Sequence, residues 1–269
     1  QVAGLQTGEL NIVPDLPTSQ ADRLAAMDGI EVVETGGAPV SFIAFDVRSG
    51  PGQDRDFREA VNLAIDKDAL VKTVMQGHAQ PAASLITPPV VGHDPTRRPT
   101  PYDPERAKQL LARSSYDGSP IPFTYPTSVL VNADEMAKAV ANYLSAVGIA
   151  VQPIPIDYST FLQQWAAKQI TGMYMMQYKN GTDADTIITS LYARGTRVLF
   201  DDPEVFATVD RTREATGEER LAALAELEQL VLDKNRYYAP LLVPNAVYGV
   251  TDGIPLNANP FNPILVAWK

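Results

Sequence analysis

Residues 58–77, REAVNLAIDKDALVKTVMQG, have the sequence pattern of two consecutive helices. Apolar residues at helical spacing precede Asp66, and a second apolar stripe follows it. An aspartate suits the start of a helix, since its carboxylate accepts hydrogen bonds from the otherwise unpaired amides of the first turn. Gly77 suits the end of the second helix, where a positive φ costs glycine least. The stretch therefore predicts two helices that meet at Asp66.

Outward from this stretch, predicted strands and helices alternate along the chain. Helix starts are marked by an aspartate followed by proline at Asp103 and Asp202, and Thr216 with Glu219 matches a capping box. Residues 79–102 are rich in proline, which predicts an ordered surface excursion. The recurring strand–helix–strand order predicts an α/β domain with a partly parallel sheet. Strands are predicted at residues 30–34, 40–47, 120–127, 149–156 and 172–178.

The composition is that of a folded, acidic protein. The chain has 269 residues, 45% of them hydrophobic, and a formal net charge of -10. Such a charge disfavours nucleic acid and anionic lipid as partners. The absence of cysteine excludes disulfides and thiolate metal sites. No apolar run approaches the roughly 20 residues that span a bilayer, and the first residues lack the pattern of a signal peptide.

Sequence motifs of known catalytic sites are missing. There is no G-x-S-x-G elbow, H-E-x-x-H helix, phosphate-binding loop or dinucleotide fingerprint. The two histidines, His78 and His93, fall in predicted loops and are interpreted as surface residues. Asp183 and Asp185 leave a carboxylate-based hydrolase open as an alternative, although Asp183 also suits the start of a helix. No cofactor and no metal is predicted.

One group of residues is suited to binding a small molecule. In open α/β sheets, ligands bind beyond the carboxyl ends of the strands. Two predicted strands end in aromatic and polar side chains, a combination typical of small-molecule clefts, although each aromatic residue could equally belong to the core. The six candidate ligand-binding residues are Tyr125, Thr127, Gln177, Tyr178, Asn180 and Asp183.

The order of these landmarks resembles family 5 extracytoplasmic solute-binding proteins, the oligopeptide-, dipeptide- and nickel-binding components of ABC importers. Residues 58–82 resemble the family's R-x-A segment with A-I-D-[RK] and a following x-P-A. Residues 102–111 match Y-D-P-E-x-A-K-x-L-L, and residues 148–165 match G-I-x-V followed by an aromatic-rich helix. Residues 202–205 match D-P-E-V. The resemblance covers nearly the whole chain.

This resemblance implies a periplasmic binding protein-like fold with a mixed sheet flanked by helices. Residues 1–45 would be a remnant of lobe I, residues 46–244 the second lobe (domain III), and residues 245–269 the return to lobe I. Family members are about twice as long, so most of lobe I would be absent.

The implied function is that of the substrate-binding component of an ABC import system. It would be a periplasmic or extracytoplasmic monomer, not an enzyme, that delivers a small or peptide-like solute to a permease and meets the membrane only through that permease. A ligand-sensing or chaperone protein on the same scaffold remains an alternative.

The sequence departs from the family at the ligand-facing segment G-W-x-x-D-x-x-D-P. Residues 177–185 read QYKNGTDAD, so Tyr178 replaces the tryptophan and no aspartate stands where peptide binders hold the ligand's ammonium group. A buried ammonium group without a carboxylate partner is strongly unfavourable. The sequence therefore leaves the identity of the solute open.

Overall fold

The described chain, residues 2–14, 16–195 and 197–261 of a computed structural model, contains nine strands in two sheets. The strands are β1 (Ile12–Val13), β2 (Ile30–Thr35), β3 (Pro39–Phe45), β4 (Ala79–Pro81), β5 (Ile121–Pro126), β6 (Val151–Ile156), β7 (Met173–Lys179), β8 (Tyr238–Pro244) and β9 (Ala246–Thr251). The smaller sheet is antiparallel in the order β1-β9-β2, and the larger has the order β4-β8-β3-β7-β5-β6.

Helices connect these strands and cover the larger sheet. They are α1 (Val2–Thr7), α2 (Thr18–Ala25), α3 (Arg55–Ala64), α4 (Lys67–Thr73), α5 (Pro104–Leu111), α6 (Ala133–Ala146), α7 (Tyr158–Ala166), α8 (Asp185–Ile187), α9 (Pro203–Glu214) and α10 (Gly217–Glu228). α8 and α10 continue as π-helical turns at Ile188–Tyr192 and Gln229–Lys234. No helix in the described part of the chain has the length and apolar character needed to cross a bilayer.

The larger sheet is mixed, as the order of elements predicts. β5 pairs in parallel with β6 and β7, whereas β3 pairs antiparallel with β7 and β8. Both faces are covered: α3, α5 and α6 pack on one side, and α7, α9 and α10 on the other. Successive residues of a strand point to opposite faces, so Phe42 and Ile43 are both fully buried but belong to different clusters. The predicted α/β fold is confirmed.

The opening stretch folds as the two predicted helices. α3 ends at Ala64, and the Asp66 carboxylate accepts a hydrogen bond of 2.9 Å from the amide of Ala69 in the first turn of α4. Gly77 follows α4 with a φ of +91°, in the left-handed region that glycine tolerates best. Because these signals are local, the sequence was sufficient to place them.

Two local predictions were wrong. Thr216 precedes α10, but its side chain makes no capping hydrogen bond. The next residue, Gly217, has a φ of +55°, so the first turn departs from the geometry of a capping box. The proline-rich segment 79–102 is also not a mere surface excursion, because it contributes β4 and buries Leu85 and Ile86 against the larger sheet.

The chain passes between the two sheets twice. It enters the larger sheet between β2 and β3, where residues 39–45 pair with β7 and β8. It leaves between β8 and β9, where the predicted boundary at residue 244 lies. The two crossings touch, since a Cβ atom on Gly37 would lie 1.7 Å from the carbonyl oxygen of Pro244. The last part of the predicted return segment, residues 262–269, lies outside the described residues.

Candidate functional site

A cleft of about 720 Å³ lies where the two sheets meet. The larger sheet contributes residues 176–179 at the carboxyl end of β7, the loop 128–131 after β5, and one face of α7. The crossing at residues 244–246 and Tyr248 of β9 form the opposite wall. β5 and β7 are parallel neighbours, so their carboxyl ends share one edge of the sheet. The cleft is therefore at the position where open α/β sheets bind ligands.

Gln177 and Tyr178 line this cleft. The Gln177 side-chain oxygen lies 3.4 Å from the hydroxyl of Ser41 and 3.4 Å from the amide of Val131, which donate to it. The Tyr178 hydroxyl shares a hydrogen bond with the hydroxyl of Ser190. Both side chains are half-buried and held by neighbouring elements. Of the six candidates, these two stand where a ligand could reach them.

Tyr125 and Thr127 close β5 but do not line the cleft. Tyr125 is only 4% exposed and packs in the cluster on the other face of the sheet. Its hydroxyl donates a hydrogen bond of 2.8 Å to the Asp134 carboxylate, and burial together with that carboxylate raises the pKa of Tyr125 to about 12. Thr127 is exposed, and its amide donates to the carbonyl oxygen of Ile156 in β6. These two residues fix the end of β5.

Asn180 is buried beneath the cleft. Its side-chain amide donates to the carbonyl oxygens of Ala38, at 3.1 Å, and of Leu85, at 2.9 Å. It thereby joins the end of β7 to the first crossing and to the proline-rich segment. Asn180 is buried and does not line the cleft.

Asp183 forms an ion pair with Arg220 of α10, and it also accepts a hydrogen bond from the amide of Asp185. Partial burial tends to raise the pKa of the Asp183 carboxyl, but the hydrogen bonds from Arg220 and the Asp185 amide outweigh it and hold the pKa below its usual range. Asp183 does not line the cleft. The geometry gives the hydrolase alternative no support.

The two histidines are not both surface residues. The His78 side chain is 12% exposed, and its Nδ1 atom lies 3.0 Å from a carboxylate oxygen of Glu34. Nδ1 of His93 lies 2.8 Å from the carbonyl oxygen of Ile86. Neither lines the cleft. In the described ranges, no three histidine, cysteine or acidic residues are grouped so as to hold a metal ion.

The structure adds residues to the cleft that sequence reasoning did not select. Trp165 of α7 lines it, and its indole N–H donates a hydrogen bond of 3.0 Å to the Tyr174 hydroxyl. The guanidinium carbon of Arg197 lies 4.8 Å from the centroid of the Trp165 ring, in a cation–π arrangement. Lys179, at the end of β7, also lines the cleft. Arg197 lies in a loop that carries no motif, so the sequence held no signal for it.

A mixed α/β sheet joined by two adjacent crossings to a second sheet, with a cleft at their junction, is the architecture of a periplasmic binding protein. The ABC transporter-associated periplasmic binding protein DppA of Helicobacter pylori, solved in complex with the peptide STSA, superposes with a TM-score of 0.84 at 18% identity, over 94% of this chain and 51% of that one. This likeness concerns the fold. The chain belongs to the bacterial extracellular solute-binding proteins, family 5, whose middle-region profile matches residues 1–197.

Two relatives of this chain are named for different solutes, heme and glutathione. The chain is 23% identical to heme-binding protein A of Haemophilus influenzae, over 89% of this chain and 45% of that protein. It is 30% identical to the glutathione-binding protein GsiB of Escherichia coli, over 58% of this chain and 30% of that protein. The chain thus spans less than half the length of either relative. The predicted resemblance to family 5 is confirmed.

Proposed function

We propose that this chain is part of the substrate-binding component of an ABC import system. The protein captures a small solute between two lobes outside the cytoplasm, and delivers it as a monomer to a membrane permease without transforming it. The observation that carries the proposal is the cleft of about 720 Å³ at the junction of the two sheets. Its volume falls in the range of clefts that hold small molecules.

The two crossings suit a hinge, because hinge closure requires only a few residues to change their backbone angles. In this proposal the larger sheet belongs to the second lobe, and the smaller sheet belongs to lobe I. Gln177 and Tyr178 contact the solute directly, Tyr178 through its ring and Gln177 through its amide group. The other four predicted residues support these contacts by fixing the ends of β5 and β7: Tyr125, Thr127, Asn180 and Asp183.

The fold does not select the solute. Structures that share it include a dipeptide-binding protein in complex with Met-Leu, and AgaA in complex with agropinic acid. The ligand-facing segment of this chain lacks the aspartate expected for a peptide's ammonium group. A peptide-like solute and a different small solute are therefore both compatible with the proposal, and experiment must choose between them.

Thermal unfolding of the full-length protein with a panel of peptides, sugars, organic acids and metal complexes tests the proposal. A ligand present at 100 times its Kd stabilises the folded protein by about 2.7 kcal/mol, which raises Tm by a few degrees. Tyr178→Ala should reduce the shift. Tyr102→Ala is the matched control, because Tyr102 is 46% exposed and lies outside the cleft. A Tm unchanged by every class of compound would contradict the proposal.

A further inference from the structure

The charge of the cleft is opposite to that of the chain. The protein carries a formal net charge of -10, with 32 acidic residues against 22 basic ones. Among the described residues that line the cleft, the charged side chains are Lys179 and Arg197, and none is acidic. A random sample of this surface would contain more carboxylates than cations. The cleft is thus a positive site on a negative protein, an arrangement that concentrates anions.

Arg197 differs in its partners from three arginines of α9 and α10. Arg211, Arg213 and Arg220 each lie within 4.0 Å of a carboxylate on a neighbouring element. Arg197 has no such partner in the described part of the chain, and its guanidinium contacts the ring of Trp165. Arg197 is half-buried and lines the cleft. Its N–H groups are therefore not used by a described acidic side chain.

The contact with Trp165 restricts where this guanidinium lies, since its central carbon is 4.8 Å from the ring centroid. A planar guanidinium presents paired N–H donors that match the two oxygens of a carboxylate. The ring attracts the cation without occupying those donors, which lie in the guanidinium plane. Trp165 is itself held by its hydrogen bond to Tyr174. The pair is therefore a preorganised anion-binding group, not a mobile surface charge.

We infer that the solute carries a carboxylate group, which Arg197 binds through paired hydrogen bonds while it remains stacked on Trp165. Lys179 adds a second positive charge to the same cleft. A cationic end of the solute finds no acidic partner among the described residues of the cleft, so this chain binds the anionic end of the solute and not a cationic one. This inference rests on the proposed function, since it assigns the class of solute for the same cleft.

Isothermal titration calorimetry of the full-length protein with matched pairs of compounds tests the inference. Each pair differs only by a carboxylate replaced with its primary amide: a dipeptide, an N-acetyl amino acid and a hexuronic acid, each with its amide. We expect binding by the acid of at least one pair and not by its amide. For that acid, Arg197→Gln should raise Kd about 10- to 100-fold, the effect of losing a charge-assisted pair of hydrogen bonds. Arg197→Lys should recover part of the loss.

Arg194→Gln is the matched control. The Arg194 guanidinium carbon lies 4.6 Å from the centroid of the Phe206 ring, but Arg194 does not line the cleft. This variant therefore loses the same charge and the same type of stacking, and its Kd should match that of the wild type. Unfolding midpoints of both arginine variants identify any general loss of stability.

The outcomes separate the inference from the proposed function. An amide that binds as tightly as its acid, or a Kd that Arg197→Gln leaves unchanged while Tyr178→Ala raises it, would overturn the inference and leave the proposed function standing. The inference would also fail if no member of any pair bound but a neutral or cationic compound of the broader panel did. The proposed function would then still stand. If no compound of any class bound, the proposed function would fail as well.

Discussion

Glu228 carries a carboxyl group that is buried at the end of α10 and does not line the cleft. It is 1% exposed, accepts a hydrogen bond from the Ser84 hydroxyl and lies 3.9 Å from the guanidinium of Arg97. Burial raises the pKa of Glu228 to about 7, against the opposing effects of Ser84 and Arg97. Asp233, a further negative charge nearby, adds to the rise. The folded protein therefore favours the protonated form of this group.

The pH dependence of stability follows from the direction of that shift. An unfolded chain binds the Glu228 proton less tightly than the folded one, so the stabilising contribution is complete below the ordinary pKa of 4.5 and is lost as the pH rises through about 7. The full change is about 3 kcal/mol. The free energy of unfolding, measured with urea, should fall less between pH 5 and pH 8 in Glu228→Gln than in the wild type. The variant lacks the contribution of the Glu228 proton.

A second glutamate on the same helix provides the control. Glu226 is exposed and pairs with Arg211 at the surface, so Glu226→Gln should keep the pH dependence of the wild type. If Glu228→Gln unfolded with the same pH dependence as Glu226→Gln, the buried carboxyl group of Glu228 would not be the cause of the loss of stability with rising pH.

At the residue scale, sequence reasoning identified only part of the cleft. Gln177 and Tyr178 could be predicted because they end a recognisable strand, and strand ends are where ligands bind. Asn180 comes from the same segment but turns inward to backbone carbonyls, and no sequence pattern distinguishes the two directions. Arg197 could not be predicted, since its role depends on a loop packing over Trp165 from a distant part of the chain.

At the scale of elements, the joint between α3 and α4 depends on one carboxylate. Asp66 accepts a hydrogen bond from the amide of Ala69, which would otherwise be unpaired at the start of α4. Asp66→Ala should lower the free energy of unfolding by about 1 kcal/mol. Asp66→Asn should lower it much less, because an asparagine side chain caps nearly as well. Urea unfolding measures both, and equal losses in the two variants would exclude capping as the source.

The same element scale explains which helices the sequence could place. Asp103 and Asp202 begin α5 and α9 with capping hydrogen bonds, as predicted, because the cap and the following proline act within one turn. The π-helical continuation of α10, Gln229–Lys234, has no such local signal. Its wider turn lies next to Glu228 and buries Val231 in the core. Elements set by tertiary packing were therefore the ones that the sequence did not predict.

At the scale of the whole molecule, the two sheets are joined by two crossings of the chain, which approach each other closely at Gly37 and Pro244. The strand pattern predicted β2 and β3, but not that the chain changes sheet between them. Strand pairing is non-local, so the sequence of β3 does not indicate which strands it pairs with. Only the register with β7 and β8 assigns it to the larger sheet. The contact between the crossings follows from that assignment.

Only glycine fits at position 37, because the crossings leave no space for a side chain. A Cβ atom there would lie 1.7 Å from the Pro244 carbonyl oxygen, and backbone atoms cannot rotate away as a flexible side chain could. Gly37→Ala should therefore push the crossings apart and lower the free energy of unfolding by roughly 1–3 kcal/mol. The neighbouring Gly36→Ala is the control, since its added Cβ atom would meet nothing within 4 Å. Its unfolding midpoint should stay close to that of the wild type.

Because the crossings form one wall of the cleft through Pro244, Asn245 and Ala246, the same substitution should also weaken solute binding by the full-length protein. Displacing that wall alters the distance across which the solute contacts Gln177 and Tyr178. Calorimetry of Gly37→Ala and Gly36→Ala with the same ligand measures this effect. Loss of stability without any change in Kd would show that the contact holds the sheets together but does not set the width of the cleft. Equal stability of the two variants would contradict the close approach itself.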